Sequence, residues 1–149
     1  MDPALTEEII SVLEAANDLT IATVREDGYP QATTVSYDND GLKIYFGCAA
    51  ESQKAKNIAR NSKVSLTVNL PYANWKEIRG LSIGGRAERV TDSQEVDQVS
   101  RLMFEKFPQI AGYAPAELEE IVLFRVMSEV ISVLDYRKGF GHTDLVKVA

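Results

Sequence analysis

Two lysines stand in the first turn of a predicted short helix, a position that is electrostatically unfavourable for cations. The helix covers residues 52–60, and its start lies in the segment ESQKAK at residues 51–56, where Ser52 is the expected N-cap. The helix dipole and the unpaired first N–H groups make this end positive, so lysines there favour a nearby anion. The Ser52 hydroxyl, the free N–H groups and the Lys54 ammonium together suit a phosphate. The alternative, from the residues alone, is that both lysines extend into water.

The single cysteine and the single histidine have structural explanations as well as chemical ones. Cys48 alternates with Ile44 and Phe46 on a predicted strand, which favours a buried packing role over reactivity near a cofactor. His142 stands near the C-terminus, where it has the chemistry of a general acid, a haem ligand or a flavin neighbour. A solitary histidine there is more often structural, so we assign it no catalytic role. One cysteine and one histidine do not make the cluster that a structural zinc site needs.

Length, charge and hydropathy limit the class of protein. The chain has 149 residues, which suits one domain over residues 1–149. Its net charge of −6 opposes broad attraction to nucleic acid or to an anionic membrane, so any basic site must be local. No apolar run reaches the ~20 residues of a membrane span, and Asp2, Glu7 and Glu8 stand where a signal peptide would be basic. We therefore expect a soluble, cytoplasmic protein.

Period-two alternation of apolar and β-branched residues predicts that strands make up much of the chain. The expected strands cover residues 19–24, 31–37, 42–48, 63–70, 78–90 and 121–134. Helical spacing predicts an N-terminal helix capped by Asp2, a later helix with a capping box of Thr91 and Gln94, and a short helix from Pro115. The tail at residues 136–144 is expected to be irregular.

Short turns between the strands indicate an antiparallel sheet. Turns at residues 26–30 and 38–41 join the first three strands into a meander. Gly80, Gly84 and Gly85 in the fifth strand indicate a bulge or a sharp bend of the kind found at barrel corners. The predicted fold class is mainly β with peripheral helices, arranged as a closed or nearly closed antiparallel β-barrel.

The order of motifs from Thr20 to Val90 resembles the pyridoxamine-5′-phosphate-oxidase-like FMN-binding split β-barrels. The matching segments are residues 26–30 (EDGYP), 44–47 (IYFG), 52–58 (SQKAKNI), 61–66 (NSKVSL) and 85–90 (GRAERV). This resemblance covers about half of the chain, and it implies an antiparallel split barrel that binds flavin mononucleotide (FMN).

The resemblance also implies a cofactor site and a partner. In that family the Ser-x-Lys turn holds the FMN phosphate, the flavin ring lies along the second and third strands, and the protein is a homodimer with flavins at the subunit interface. Residues 75–80 would then approach the cofactor of the partner. The implied phosphate contacts are Ser52, Gln53 and Lys54, and the implied ring contacts are Ala32, Thr33, Thr34, Val35, Gly47 and Cys48.

Two departures from the family pattern bear on function. Many members have an arginine where Gln53 stands. The phosphate site of this chain therefore has one positive charge fewer, and phosphate binding is weaker unless Lys56 or another cation supplies that charge. True pyridoxamine phosphate oxidases end in an Arg-Leu-His-containing motif, whereas this chain has KGFGHTD at residues 138–144. We therefore do not expect this chain to oxidise vitamin B6.

Two classes of function follow from these expectations. The first is an FMN-dependent oxidoreductase of unknown substrate, in which the protein positions the flavin and the flavin carries out the redox chemistry. The second is a non-catalytic flavin-binding or redox-sensing protein, since neither fold nor cofactor establishes turnover. A further alternative keeps the barrel and replaces FMN with haem or a deazaflavin.

Overall fold

The computed structural model describes residues 1–113 and 115–148, apart from the side chain of Pro115. Four helices lie around one antiparallel sheet of seven strands in this part of the chain. The helices are α1 (Pro3–Ala15), α2 (Gln53–Arg60), α3 (Ser93–Lys106) and α4 (Pro115–Glu119). The strands are β1 (Asp18–Val24), β2 (Pro30–Asp40), β3 (Lys43–Ala49), β4 (Lys63–Asn69), β5 (Arg79–Arg89), β6 (Ile121–Asp135) and β7 (Thr143–Lys147).

Six of the strands close into a barrel. They follow the order β3-β2-β1-β4-β5-β6, and β6 pairs back onto β3. The long strand β6 pairs with two strands along one edge. Its residues 121–126 pair with β3, and its residues 130–134 pair with β7. The predicted mainly β fold with an antiparallel barrel is therefore confirmed. None of the helices in the described residues has the length and apolar character needed to cross a bilayer.

Apolar side chains of alternate strand residues and of α1 fill the barrel. Residues such as Ile21, Leu66, Ile83 and Ile131 point inward from their strands and have at most 1% of their surface exposed. The predicted amphipathic helix is α1, with Asp2 as its N-cap and with Ile9, Val12 and Leu13 buried in the same core. Burial of these faces is the main force that holds the strands in register.

The predicted capping box of α3 is wrong. The N-cap of α3 is Asp92, whose Oδ2 accepts a hydrogen bond from the backbone N–H of Glu95 at 3.1 Å. An aspartate in extended conformation caps as well as threonine, and this helix begins one residue later than the Thr91–Gln94 pair requires.

The prediction that residues 136–144 are irregular is also wrong in part. Residues 143–147 form β7, which pairs with residues 130–134 of β6. Only residues 136–142 are irregular, and they include a 3₁₀ turn at Tyr136–Lys138. The predicted end of β2 at residue 37 and the predicted turn at residues 38–41 are wrong as well. β2 continues to Asp40, so the turn before β3 consists of Gly41 and Leu42.

The predicted bulge lies at the glycine pair of β5. Gly84 pairs with Val130 but Gly85 pairs with Ser128, so that Glu129 is the extra residue on β6. A Cβ on Gly85 would meet the backbone carbonyl oxygen of Met127, whereas a Cβ on Gly84 would meet only a side-chain methyl carbon, Cγ1 of Val130, at 3.1 Å. Gly85 is therefore required by close backbone approach, and Gly84 is not.

A polar cluster holds α3 against the barrel. Tyr45 donates a hydrogen bond to Glu95 Oε2 at 3.0 Å, Arg125 Nη1 lies 2.6 Å from Glu95 Oε1, and Arg125 Nη2 lies 3.1 Å from Glu88 Oε2. Burial, with the hydrogen bond to Glu95, raises the pKa of Tyr45 to about 12. The hydrogen bond from Arg125 lowers the pKa of Glu95 below its ordinary value of 4.5. These groups line a polar cleft of about 620 Å³ between α3 and the sheet.

Replacing Gly85 by alanine is expected to lower the free energy of unfolding by ~1–3 kcal/mol, because backbone atoms must move to admit the new Cβ. The matched variant Gly84→Ala is expected to stay within about 1 kcal/mol of the native chain, since the Val130 side chain can rotate away. Urea unfolding of both variants measures this, and equal losses would contradict the role given to the bulge.

The Glu95 carboxylate is expected to make stability depend on pH in the acid range. The pKa of Glu95 is lower in the folded chain than in the unfolded chain. Its contribution to the free energy of unfolding is therefore complete above the unfolded pKa near 4.5, and it is lost as pH falls through the folded pKa. Glu95→Gln should therefore lose less free energy of unfolding between neutral pH and about pH 3 than the native chain. Glu105→Gln, at an exposed position of α3, is the control and should keep the native pH dependence.

Candidate functional site

The barrel is split where β2 and β3 separate. The two strands pair only between residues 37–40 of β2 and 43–46 of β3. Beyond Tyr37, residues 30–36 of β2 pair with β1, and beyond Phe46, residues 47–49 of β3 pair with β6. We call residues 31–36 and 47–49 the β2–β3 fork. Backbone groups on the facing edges of the fork have no strand partner in the described residues, so they are available to a ligand.

The predicted ring contacts on β2 all lie along this fork but on two faces. Ala32 and Thr34 are exposed on the outside of the barrel, and Thr33 is half-buried on the inside. Val35 is 9% exposed and belongs to the core. A ligand in the fork would therefore meet the side chains of Ala32 and Thr34, and would reach Val35 only through its backbone.

The predicted ring contacts on β3 are constrained by packing. Cys48 is a free cysteine, 7% exposed, with its side chain in the core. Gly47 lies opposite Leu123 of β6, and a Cβ there would approach Cγ2 of Ile121 to 2.9 Å. The predicted packing role of Cys48 is thus confirmed, and the structure explains Gly47 by the close approach of β6.

The first turn of α2 follows directly on the fork. Ser52 is its N-cap, as predicted, and Ser52 Oγ accepts a hydrogen bond from the N–H of Ala55 at 3.2 Å. The N–H of Ser52 donates to the carbonyl of Ala49, the last residue of β3, at 3.0 Å. The N–H groups of Gln53 and Lys54 are the first two of the helix and have no intrahelical acceptor. Two donors and the positive end of the helix dipole therefore lie at the end of the fork.

The two lysines of this turn differ in their surroundings. Lys56 lies 3.8 Å from Glu51, with 61% and 91% of the two side chains exposed, and such a pair contributes little. Lys54 is half-buried and has no ion-pair partner within the described part of the chain. Lys54 is therefore the cation that a bound anion can engage without displacing a carboxylate.

A buried amide that was not predicted from the sequence holds α2 in place. Asn57 is 1% exposed, and its Nδ2 donates to Thr23 Oγ1 at 3.0 Å and to Gln31 Oε1 at 3.2 Å. Gln53 Nε2 in turn donates to Asn57 Oδ1 at 2.8 Å. The side chain of Gln53 is therefore engaged within the helix. A polar residue between Ala55 and Ile58 on the buried face of α2 was the signal that could have identified this network.

Two neighbouring rows on the outside of the sheet carry a single charged side chain. The register aligns one residue from each of six strands in a single row across the sheet. That row consists of Thr34, Thr20, Thr67, Ser82, Ser132 and Leu145. The adjacent row consists of Ala32, Ala22, Ser65, Gly84, Val130 and Lys147. We call these two rows the outer face. Apart from Lys147 its side chains are uncharged, and it extends from the fork to β7.

Trp75 belongs to residues 75–80, which the family resemblance places near the cofactor of the partner, and it lies beside aromatic residues of the β6–β7 connection. Trp75 is 65% exposed and its ring lies 6.3 Å from that of Phe140, which is itself 5.4 Å from Tyr136. His142 Nε2 lies 3.0 Å from Asp144 Oδ2. No described contact joins these groups to the β2–β3 fork of the same chain.

Comparison with known proteins agrees with this architecture. A pyridoxine/pyridoxamine 5′-phosphate oxidase of Bdellovibrio bacteriovorus is 28% identical over 141 residues, which are 93% of this chain and 67% of that protein. A conserved hypothetical protein of Mycobacterium tuberculosis, Rv2991, is 26% identical with a TM-score of 0.76, covering all of this chain and 92% of that one. A heme binding protein of Mycobacterium smegmatis shares the fold, with a TM-score of 0.82 at 18% identity.

Coverage of these proteins is unequal. The mycobacterial heme binding protein matches 99% of this chain, but the chain spans only 59% of its length. The family model described as pyridoxamine 5′-phosphate oxidase matches residues 5–135, from α1 to the end of β6. Because the match includes the whole barrel, the fork and α2, this chain belongs to the pyridoxamine 5′-phosphate oxidase family.

Proposed function

We propose that this chain is an FMN-binding flavoprotein that acts as a homodimer. The observation that carries the proposal is the first turn of α2 at the end of the β2–β3 fork. It holds two N–H groups with no intrahelical acceptor and a half-buried lysine with no ion-pair partner among the residues that the structure describes. An anionic group removes the conflict between the Lys54 charge and the positive end of the helix. FMN is the anion proposed because the chain belongs to a family whose known cofactor is a flavin.

The first turn of α2 and the fork fit the two ends of FMN. Ser52 Oγ accepts from Ala55, and its proton is free to be donated to a phosphate oxygen. Gln53 contributes its backbone N–H, since its side chain is bound to Asn57, and Lys54 contributes charge. The ring would lie along Ala32, Thr33, Thr34 and Val35 of β2, and Gly47 and Cys48 of β3, where edge backbone groups and small side chains leave room.

FMN, when bound, supplies hydride and electron transfer, so the protein itself needs no acid or base. The residues described above would bind the phosphate and orient the ring. We propose an oxidoreductase of unknown substrate, and the alternative of a flavin-binding or redox-sensing protein differs only in turnover. Reduction of the bound flavin by NAD(P)H, followed by repeated turnover with an added acceptor, distinguishes the enzyme from the sensor.

The outer face supports the homodimer. A monomer of an acidic protein would be expected to carry charged side chains across an exposed sheet, yet twelve aligned positions include only Lys147 as a charged residue. Small hydroxyl and alkyl side chains on a continuous sheet can be buried at low desolvation cost. The outer face adjoins the fork, so a second copy would also cover the flavin.

Haem is the second candidate ligand, because a solved structure with the same fold is named as a heme binding protein. The chain has one histidine to offer as an axial ligand, His142, and its ring is held by Asp144. The first turn of α2 has instead the donors that a phosphate requires. The absorption spectrum of the purified protein decides between them, since flavin bands support the proposal and a Soret band without flavin contradicts it.

Lys54→Ala is expected to weaken FMN binding by roughly 1.5–3 kcal/mol, because it removes a charge-assisted hydrogen bond to the phosphate. Quenching of flavin fluorescence measures the dissociation constant, which should rise about tenfold or more. Lys63→Ala, which removes an exposed lysine of β4, is the matched control and should leave FMN affinity unchanged. Equal FMN affinity of the Lys54→Ala variant and the native chain would show that the first turn of α2 is not part of the FMN site.

Thr67→Lys is expected to break the dimer, because it buries an uncompensated charge in the middle of the outer face. Such a charge costs about 3–5 kcal/mol, so the dissociation constant of the dimer should rise by at least ~100-fold. Light scattering after gel filtration should change from twice the chain mass of 16.5 kDa to a single mass. Ser100→Lys, on the exposed side of α3, is the control and should stay dimeric. A native chain that is a monomer would refute the proposal.

A further inference from the structure

A separate cavity lies between α2 and the adjoining ends of β5 and β6. Its volume is about 240 Å³. Its floor is apolar, with Ile58 from α2 and with Val122 and Phe124 from β6. These three side chains are largely buried, at 4%, 9% and 4% exposure. The phosphate-binding residues proposed above, Ser52 and Lys54, are not among the residues that line it.

Two cations stand at the opening of this cavity. Lys56 and Arg89 both line it and both are exposed to solvent. The only carboxylate paired with either in the described residues is Glu51, which lies 3.8 Å from Lys56 in an exposed and therefore weak pair. Arg89 has no ion-pair partner within the described part of the chain. An apolar floor below a cationic rim favours an anion with an apolar body.

We propose that this cavity binds a small aromatic monocarboxylate, with the ring on the apolar floor and the carboxylate on Arg89 and Lys56. A cavity of ~150 Å³ holds benzene, so 240 Å³ accommodates one ring with a short substituent. Phe124, whose ring stacks on Phe46 at 5.4 Å, provides an aromatic surface for that ring. The guanidinium of Arg89 matches the two oxygens of a carboxylate.

The chemistry of the lining excludes larger polar ligands. An apolar floor offers no partner to ring hydroxyls or amides, so sugars and nucleosides would lose hydrogen bonds to water without replacement. A long acyl chain exceeds the volume. The cavity lies along the side of α2 and the proposed flavin phosphate lies at the start of the helix, so binding in the cavity does not require the proposed flavin.

Binding of 4-fluorobenzoate to the full chain, followed by ¹⁹F NMR, tests the proposal. We expect saturable binding, and we expect Arg89→Gln to raise the dissociation constant about tenfold or more through loss of the charged hydrogen bonds. Ala59→Leu should abolish binding by filling the cavity from the exposed surface of α2. The neutral probe 4-fluorobenzamide should bind at least about tenfold more weakly than the acid.

Matched controls separate this site from the flavin site. Arg101→Gln removes an exposed arginine of α3 and should leave benzoate affinity unchanged, as should Lys54→Ala. The proposal is overturned if the native chain shows no saturable binding, or if Arg89→Gln and Arg101→Gln bind alike. Displacement of the benzoate by FMN would also overturn it, because the probe would then lie in the flavin site.

Discussion

The side-chain amide of Asn57 joins three elements around the candidate site. It takes one hydrogen bond from Gln53 in the same helix and gives two, to Thr23 of β1 and Gln31 of β2. A buried amide without these partners would cost about 1–3 kcal/mol for each unmet group, so the network strongly favours one placement of α2 on the β1–β2 hairpin. The position of Ser52 and Lys54 at the end of the fork depends on that placement.

The fork itself is a consequence of how β3 divides its hydrogen bonds. β3 pairs with β2 only as far as Phe46 and then with β6 alone, where Gly47 allows β6 to come close. Barrel closure through β6 thus leaves an edge of β2 without a strand neighbour among the described residues. An open edge next to a helix N-terminus is a place where backbone donors can meet an anionic ligand.

Four basic side chains of this acidic protein lie on or beside the short helix α2. The helix carries Lys54, Lys56 and Arg60, and Arg89 of β5 lies beside it. Arg60 is committed to the carbonyl of Val24 at 2.8 Å, which ties the end of the helix to β1. Only the remaining three are available to ligands. The outer face, by contrast, carries almost no charge, and this difference separates surfaces suited to anions from a surface suited to another sheet.

The local patterns of the sequence predicted most of the barrel. Period-two alternation identified β1 to β6, the serine before a helical segment identified the cap at Ser52, and adjacent glycines identified the bulge at Gly84 and Gly85. These features depend on a few neighbouring residues, so they can be recognised along the chain. The phosphate and ring contacts were predicted only through family resemblance, and binding at them stays a prediction.

Contacts between distant segments decided the rest. β7 is a short edge strand whose alternation is weak, and it forms because residues 130–134 of β6 lie beyond the reach of β3. The burial of Val35 and Cys48, the approach of Gly47 to β6 and the network of Asn57 each join residues far apart in sequence. Pairing and burial of this kind are properties of the closed barrel, because the free energy of each contact exists only once the other strands are in place.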